Sequence, residues 1–480
     1  MPCTTILVGK KASYDGSTII ARNDDGAFEA KNLIVVERNK QASKYKCVIS
    51  HLELDLPKES LRYTCIPSVN KEKGLWSACG INEENVSMTA TETISSNPLV
   101  MGADPLVKYV KGKNKKDDVI GGIGEEDLIT IVLPYIKSAK EGVYRVGELL
   151  EKYGTYEMNG MAFADKDEIW WLETIGGHHF VAARVPDEKV VMMPNSFGLD
   201  YFDLEDALGL QEDFICSKDL KQFIEDNHLN TCNDGNFNPR IIFGSHSDQD
   251  HLYNTPRAWY MLKYFNPNTY DFNKFTPLSD NLPFSTKPER KVTIEDVKYV
   301  LSSYYQNSEY NPYGKDNKAG AYRVIGVPNS DDSGILQIRG YMPKQLQGIE
   351  WLSLGGSGFT ACAPFYCNVP KMPDYLCKTD LSVSTDSYYW QSRLIAALVD
   401  CQYYKNIVFD ERYVETVFNK GHELLNKYDK KILETKDYDL CVEANKEIAA
   451  MLKKESDETL SKVLKTASEH MKTKYYRGDH

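Results

Sequence analysis

The first 25 residues leave this chain little conformational choice. Thr4-Thr5-Ile6-Leu7-Val8 and Ser17-Thr18-Ile19-Ile20-Ala21 are β-branched or apolar almost throughout, and Asp15-Gly16 between them is a strong turn signal. Strands without polar alternation are buried on both faces. The predicted hairpin therefore belongs inside a covered sheet. Pairing in register also brings the start of the first strand, Cys3, beside the end of the second, Arg22-Asn23-Asp24-Asp25.

The rest of the chain reads as alternating blocks of strands and helices. Gly74 to Thr93 is a predicted strand–turn–strand around Ile81–Asn85. Gly124-Glu125-Glu126-Asp127 opens a helix whose acidic first turn suits the helix dipole. That helix carries the stripe Leu128, Ile131, Val132 and Tyr135, and Pro134 kinks or ends it. A second helix, marked by Val143, Val146, Leu150 and Tyr153, stops at Gly154. A meander follows, with strands at 160–164, 169–175, 178–185 and 190–193, the last ending at Pro194-Asn195. Residues 200–330 read as long loops with short helices. Strand character returns at 335–338, 349–354 and 359–365, and from about 386 the chain is helical. Hairpin-linked strands in blocks between helices predict an α+β fold and not a doubly wound sheet.

Composition narrows the function classes. With 42% hydrophobic residues in 480, the chain can bury a sizeable core. A net charge of −12 argues against a nucleic-acid partner. No apolar run is long enough to predict a membrane span, and the N-terminus lacks the basic start of a secretory signal. Eleven scattered cysteines, odd in number and without a CxxC pair, suit free thiols in a reducing cytosol. The predicted location is cytoplasmic. Homo-oligomerisation is left open.

Cys3 is the sharpest chemical feature. Loss of Met1 and Pro2 makes it the first residue, and its own α-amine can then act as general base to the thiol. Free α-amines titrate near 7.7–8.0, so part of the population is unprotonated at neutral pH. Position alone favours an ordinary buried thiol. Arg22 and Asp25 add to the catalytic reading: an arginine beside a thiol favours the thiolate, and a carboxylate can hold and orient an α-amine. Asp24 reads as a solvated turn residue.

Longer strings carry a resemblance. Cys3 to Ser13 with Asp15-Gly16-Ser17-Thr18 and Ala21-Arg22, then Thr89 to Thr93, Glu151 to Ala162, Trp171 to His179 and Asn254 to Trp259, resemble the bacterial dipeptidase A family. Those are N-terminal nucleophile cysteine peptidases, related to penicillin V and bile-salt acylases and to the secernins. The resemblance spans most of the chain and weakens in the C-terminal helices. It implies a four-layer αββα sandwich over 3–385 with a helical C-terminal extension over 386–480. It implies a dipeptidase that cleaves small peptides through a thioester after Met1-Pro2 is removed, with no metal or organic cofactor. It also assigns roles. Cys3 matches the nucleophile, and Arg22 and Asp25 match an Arg-x-x-Asp pattern. Asn195 matches an oxyanion-hole donor, a contact worth roughly 2.7–4 kcal/mol in the transition state. Arg257 matches a late arginine of the acylases. A turn-forming Asn195 and a structural Arg257 are the alternatives. The acylases carry a further asparagine where this chain reads Thr89 to Thr93, so the second oxyanion donor is expected to be a backbone N–H.

Three other signals are set aside. His178 and His179 are neighbours on a predicted strand and should face opposite ways, which argues against a shared metal. Gly355-Gly356-Ser357-Gly358 lacks the Gly-x-Ser-x-Gly spacing of a nucleophile elbow. Gly121-Gly122-Ile123-Gly124 lacks the Lys-Ser/Thr of a P-loop. Two other functions remain in view: an amidase or acylase acting on another small amide, and a non-catalytic, secernin-like regulatory protein.

Overall fold

The computed structural model describes residues 3–26, 28–233 and 236–472. Met1 and Pro2, whose removal the sequence predicts, lie outside the described residues, as does the tail from 473. Strands β1 (Thr4–Val8) and β2 (Thr18–Asp25) pair antiparallel, with Thr4 opposite Asn23 and Val8 opposite Ile19. Every residue of both is buried; the apolar pattern accounts for this as far as Ala21, and β2 then continues through the buried polar residues Arg22-Asn23-Asp24-Asp25. The remaining strands of the two main sheets are β3 (Cys79–Ile81), β4 (Ser87–Thr93), β5 (Asn159–Ala164), β6 (Ile169–Ile175), β7 (His179–Arg184), β8 (Val190–Met193), β9 (Phe214–Cys216), β10 (Ser285–Thr286), β11 (Ser330–Ile338), β12 (Gly348–Leu354) and β13 (Ala363–Tyr366). One sheet runs β10-β8-β1-β2-β11-β12-β13 and the other β9-β7-β6-β5-β4-β3. All their pairings are antiparallel.

The principal helices are α1 (Glu125–Val132), α2 (Ala139–Tyr153), α3 (Thr255–Phe265), α4 (Ile294–Leu301), α5 (Tyr388–Cys401), α6 (Tyr403–Thr435) and α7 (Leu440–Glu469). The architecture is α+β. Strand β2 meets β4 and β5 across the sheets, and β11 meets β3 and β4. Helix α1 packs on β4 and α2 on β5, β6 and β7, while α4 packs on β2 and β11. Helix α5 packs on β12, and α6 and α7 pack on β13. In α2, Ser138 caps the first turn by accepting the Glu141 N–H at 3.2 Å. A Cβ at Gly142 would stand 2.3 Å from the Phe163 ring, so glycine lets this helix settle onto β5. Gly154 ends it at a φ of +67°. No disulfide joins the described residues, and no described helix is long and apolar enough to cross a membrane.

The structure departs from the sequence reading in instructive places. Ser330, expected at the end of a loop region, and Asp331-Asp332-Ser333, outside the predicted strand, form the buried first half of β11. Hydrophobic pattern does not mark a strand whose buried side chains are polar and meet partners from distant parts of the chain, as Ser330 meets Asp25, Ser333 meets Asn23 and Asp331 meets Arg393. The strand expected over 359–365 begins only at Ala363, because Gly355 and Gly356 turn the chain at φ +70° and +78° into a 3₁₀ turn over Ser357–Phe359. The first strand of the 74–93 unit starts only at Cys79. His178 and His179 do not part: β7 begins at His179, so His178 belongs to the turn. Both Nδ1 atoms reach the Asp104 carboxylate, at 2.8 and 2.7 Å.

Glu350 on β12 lies in the core, where the Thr64 hydroxyl donates to its Oε2 at 2.9 Å and its Oε1 accepts no hydrogen bond among the described residues. Burial pushes this carboxyl up to about 7, against about 4.3 in an unfolded chain. Between those values the unfolded state is ionised while the folded state holds its proton, so folding stability falls as pH rises through that window. Glu350→Gln removes this contribution. Thermal unfolding from pH 5 to 8 should show a shallower decline for the variant than for the wild type.

Candidate active site

One step beyond the Thr4–Asn23 pair, the hairpin register sets Cys3 level with Asp24. Alternation along a strand then divides the end of the hairpin into two faces. Cys3, Arg22 and Asp24 share the face toward the second sheet, and Thr4, Asn23 and Asp25 share the other. On the first face Arg22 Nη2 donates to Cys3 Sγ at 2.7 Å, and both side chains are buried. Arg22 Nη2 also lies 3.8 Å from Asp24 Oδ1 and 3.8 Å from Glu125 Oε1, which comes from the start of α1. Lys31 Nζ donates to Asp24 Oδ2 at 2.7 Å and stands 4.0 Å from Asp332 Oδ1 on β11. Space for this packing comes from Gly334, opposite Arg22 on β11, where a Cβ would stand 2.4 Å from Cys79 Sγ.

Burial and pairing compete for these charges. For Asp24, burial raises the carboxyl, but Lys31 and Arg22 outweigh it and hold the group below the ordinary carboxylate range. Lys31 is held above its usual value because Asp24 and Asp332 overcome its own desolvation. Asp332 goes the other way: burial, with Asp24 adding to it, drives it well up. Burial also lifts Glu125 to about 7, with Arg22 opposing.

On the second face Arg257, from α3, is the organising group. Its Nη1 donates to the Cys3 carbonyl and, at 2.7 Å, to Thr4 Oγ1. Its Nη2 donates to Asn195 Oδ1 and Asn254 Oδ1, each at 2.7 Å, and its Nε to the Tyr253 carbonyl at 2.5 Å. Asn195 follows β8 and donates through Nδ2 to the Thr93 carbonyl at 3.0 Å, tying the two sheets together. Asp25 accepts hydrogen bonds from Arg323 and Ser330. Its carboxyl is nonetheless raised, because burial outweighs those partners. A cleft of about 460 Å³, lined by Thr93, Asn195, Asp250, Tyr253 and Asn254, borders this network.

The structure thus gathers Cys3, Arg22, Asn195 and Arg257 around the start of β1. It does not pair Arg22 with Asp25. Residues three apart on a strand face opposite ways, and that period was readable in the sequence. Asp24 corrects the sequence reading: it is 2% exposed and ion-paired, not a solvated turn residue. Sequence reasoning also missed Glu125, taken as a dipole-facing helix start, and Lys31, Asp332, Arg323 and Ser330. Their one visible signal was the Ser330–Ser333 run of polar residues leading straight into an apolar strand.

Comparison with known proteins places the chain among peptidases. Residues 2–416 match peptidase family C69. A dipeptidase of Bifidobacterium longum is 51% identical over 444 residues, covering 90% of this chain and 83% of that one. A probable dipeptidase A of Streptococcus pyogenes is 45% identical over 486 residues, the whole of both chains. Dipeptidase A of Lactobacillus helveticus is 42% identical over 438 residues, covering 90% and 88%. The chain belongs to peptidase family C69.

Arg257 offers a direct test of the network. Lysine keeps the charge but presents its donors from one atom, so it cannot reproduce contacts that spread over Cys3, Thr4, Asn195, Asn254 and Tyr253. Each charge-assisted bond left unreplaced costs about 1.5–3 kcal/mol. Arg257→Lys should lower the unfolding midpoint in urea and reduce peptide hydrolysis together.

Proposed function

We propose that this protein is a cysteine dipeptidase with the four-layer αββα fold of N-terminal nucleophile hydrolases, in which Cys3 is the nucleophile once Met1 and Pro2 are removed. The observation that carries the reading is the 2.7 Å contact between Arg22 Nη2 and Cys3 Sγ at the start of a strand, in a chain of family C69. The dipeptidase names of its relatives support the substrate class. On this reading residues 3–385 form the catalytic unit and 386–480 a helical extension, and the enzyme works in the cytoplasm.

The chemistry follows from the groups at hand. The α-amine of Cys3 accepts the thiol proton, and the Arg22 guanidinium stabilises the resulting thiolate electrostatically. The sulfur attacks the scissile carbonyl carbon, and negative charge moves to the carbonyl oxygen. Asn195 Nδ2 and a backbone N–H receive that oxyanion. The hydrogen bond from Arg257 to Asn195 Oδ1 fixes which end of the amide is the donor. The intermediate collapses to a thioester, and the leaving amine takes the proton held by the Cys3 amine. Water then attacks the thioester and restores the thiol. Asp25 acts from the other face of β2. With Arg323 and Ser330 it anchors the end of that strand, and so the position of the terminus.

The reading depends on a free terminus. An N-terminal extension that resists processing turns the Cys3 amine into an amide, which is not basic near neutral pH. General-base catalysis contributes about 10²–10⁴-fold. Purified enzyme should show an intact mass lacking Met1-Pro2 and hydrolyse dipeptides, and a C-terminal tag should leave it active. A fusion with an uncleaved N-terminal tag and the Cys3→Ala variant should both be inactive. Full activity from the intact N-terminal fusion would overturn the mechanism.

A further inference from the structure

The face of β2 that holds Cys3 carries more carboxylates than cations. Arg22 and Lys31 are met there by Asp24, Asp332 and Glu125. These carboxylates are not equivalent. Asp24 accepts from Lys31 at 2.7 Å, and Asp332 stands 4.0 Å from the same ammonium. Glu125 has no lysine. It is 3% exposed, and its Oε1, aimed at Arg22, accepts no hydrogen bond among the described residues. Its acidic neighbours are engaged elsewhere: Glu126 accepts from the Tyr156 hydroxyl, and Asp127 from the Tyr45 hydroxyl at 2.5 Å. Glu157 Oε1 accepts the Glu125 backbone N–H at 2.9 Å, which fixes the main chain from which the side chain projects. The group is therefore held and buried, with one carboxylate oxygen that Arg22 faces at 3.8 Å but no described donor satisfies.

Its distance from the nucleophile is bounded. Arg22 touches Cys3 Sγ at 2.7 Å and Glu125 Oε1 at 3.8 Å through the same Nη2 atom, so Oε1 lies within about 6.5 Å, the sum of those contacts, of the sulfur. A dipeptide carries its α-ammonium two bonds from the scissile carbonyl carbon, about 2.5 Å away. The attacking sulfur stands about 3–3.5 Å from that carbon, and a charge-assisted N–H···O contact spans about 2.7–2.9 Å. Laid end to end these reach about 8.5 Å, so a carboxylate within 6.5 Å is in range.

We infer that Glu125 receives the α-ammonium of the substrate's N-terminal residue and so restricts cleavage to the first peptide bond of a chain with a free amine. The inference rests on Cys3 being the nucleophile. An incoming ammonium supplies the hydrogen-bond donor that Glu125 Oε1 lacks, and an acylated N-terminus leaves that buried oxygen unsatisfied. Burial already holds Glu125 near 7, which marks the charge as costly until a cation arrives.

The test uses mature enzyme, with its N-terminus checked by mass, and three substrates: alanyl-alanine, its N-acetyl form and propionyl-alanine, which lacks only the amine. Wild type should cleave alanyl-alanine and discriminate strongly against the other two. Glu125→Gln should lower kcat/KM on alanyl-alanine about 10–100-fold more than on propionyl-alanine, with the excess mostly in KM. Glu125→Asp should recover part of the loss. An equal loss on alanyl-alanine and propionyl-alanine would show that Glu125 serves Arg22 or the enzyme's own amine, and would overturn the inference. If the glutamine variant does not fold, wild type decides: equal kcat/KM with and without the substrate amine overturns it. A wild type that hydrolyses no dipeptide at all overturns the proposed function instead.

Discussion

A guanidinium with no exposed surface lies between two sheets, and much of the surrounding structure keeps it charged. A buried cation is costly unless paired and hydrogen-bonded. Arg22 meets that requirement with Asp24 from its own strand, Glu125 from α1 and the sulfur of Cys3. Each carboxylate brought in needs its own compensation. Asp24 takes Lys31, and Lys31 in turn lies near Asp332. The sheets approach closely here because Gly334 leaves no side chain opposite Arg22. The polar layer is thus a connected set of charges built into the sheet contact.

The hairpin end works as a two-sided device. Its first face carries the thiol and the Arg22 guanidinium that donates to it. Its second face carries Arg257, which grips the Cys3 carbonyl and Thr4 and extends to Asn195 and Asn254. The Cys3 sulfur and the Cys3 carbonyl are therefore held from opposite sides of one strand. Period-two alternation allows this, since adjacent residues present to different layers. It also explains why Arg22 and Asp25 do different work despite their closeness in sequence.

Legibility followed the range of the interactions. The β1–β2 hairpin was readable because 4–8 and 18–21 are β-branched or apolar and its turn is Asp15-Gly16. Helix α2 was readable because its stripe has one period and ends at Gly154. Cys3, Arg22, Asn195 and Arg257 were all named from sequence strings, and the structure brings them together. The polar start of β11 was not readable. Its residues are buried because Asp25, Asp24 and Asn23 lie opposite them, and nothing in a local window reports that. Asp24 was misjudged for the same reason: its partner Lys31 is near in sequence, but the burial that makes the pair matter comes from the second sheet.

By itself the sequence determined the elements with strong local periodicity, the adjacency of Cys3 to Arg22 through a short hairpin, and membership in a family defined by long ordered strings. These depend on side-chain pattern and turn chemistry within a few residues. Only the tertiary structure decided which charges share a face with the sulfur. Glu125 and Cys3 are separated by about a quarter of the chain, and Arg257 and Cys3 by more than half of it. They meet because two sheets and the helices against them close on one end of β1. Burial turns that meeting into chemistry: a carboxylate that water would simply solvate must here find a partner, and its partners surround the thiol.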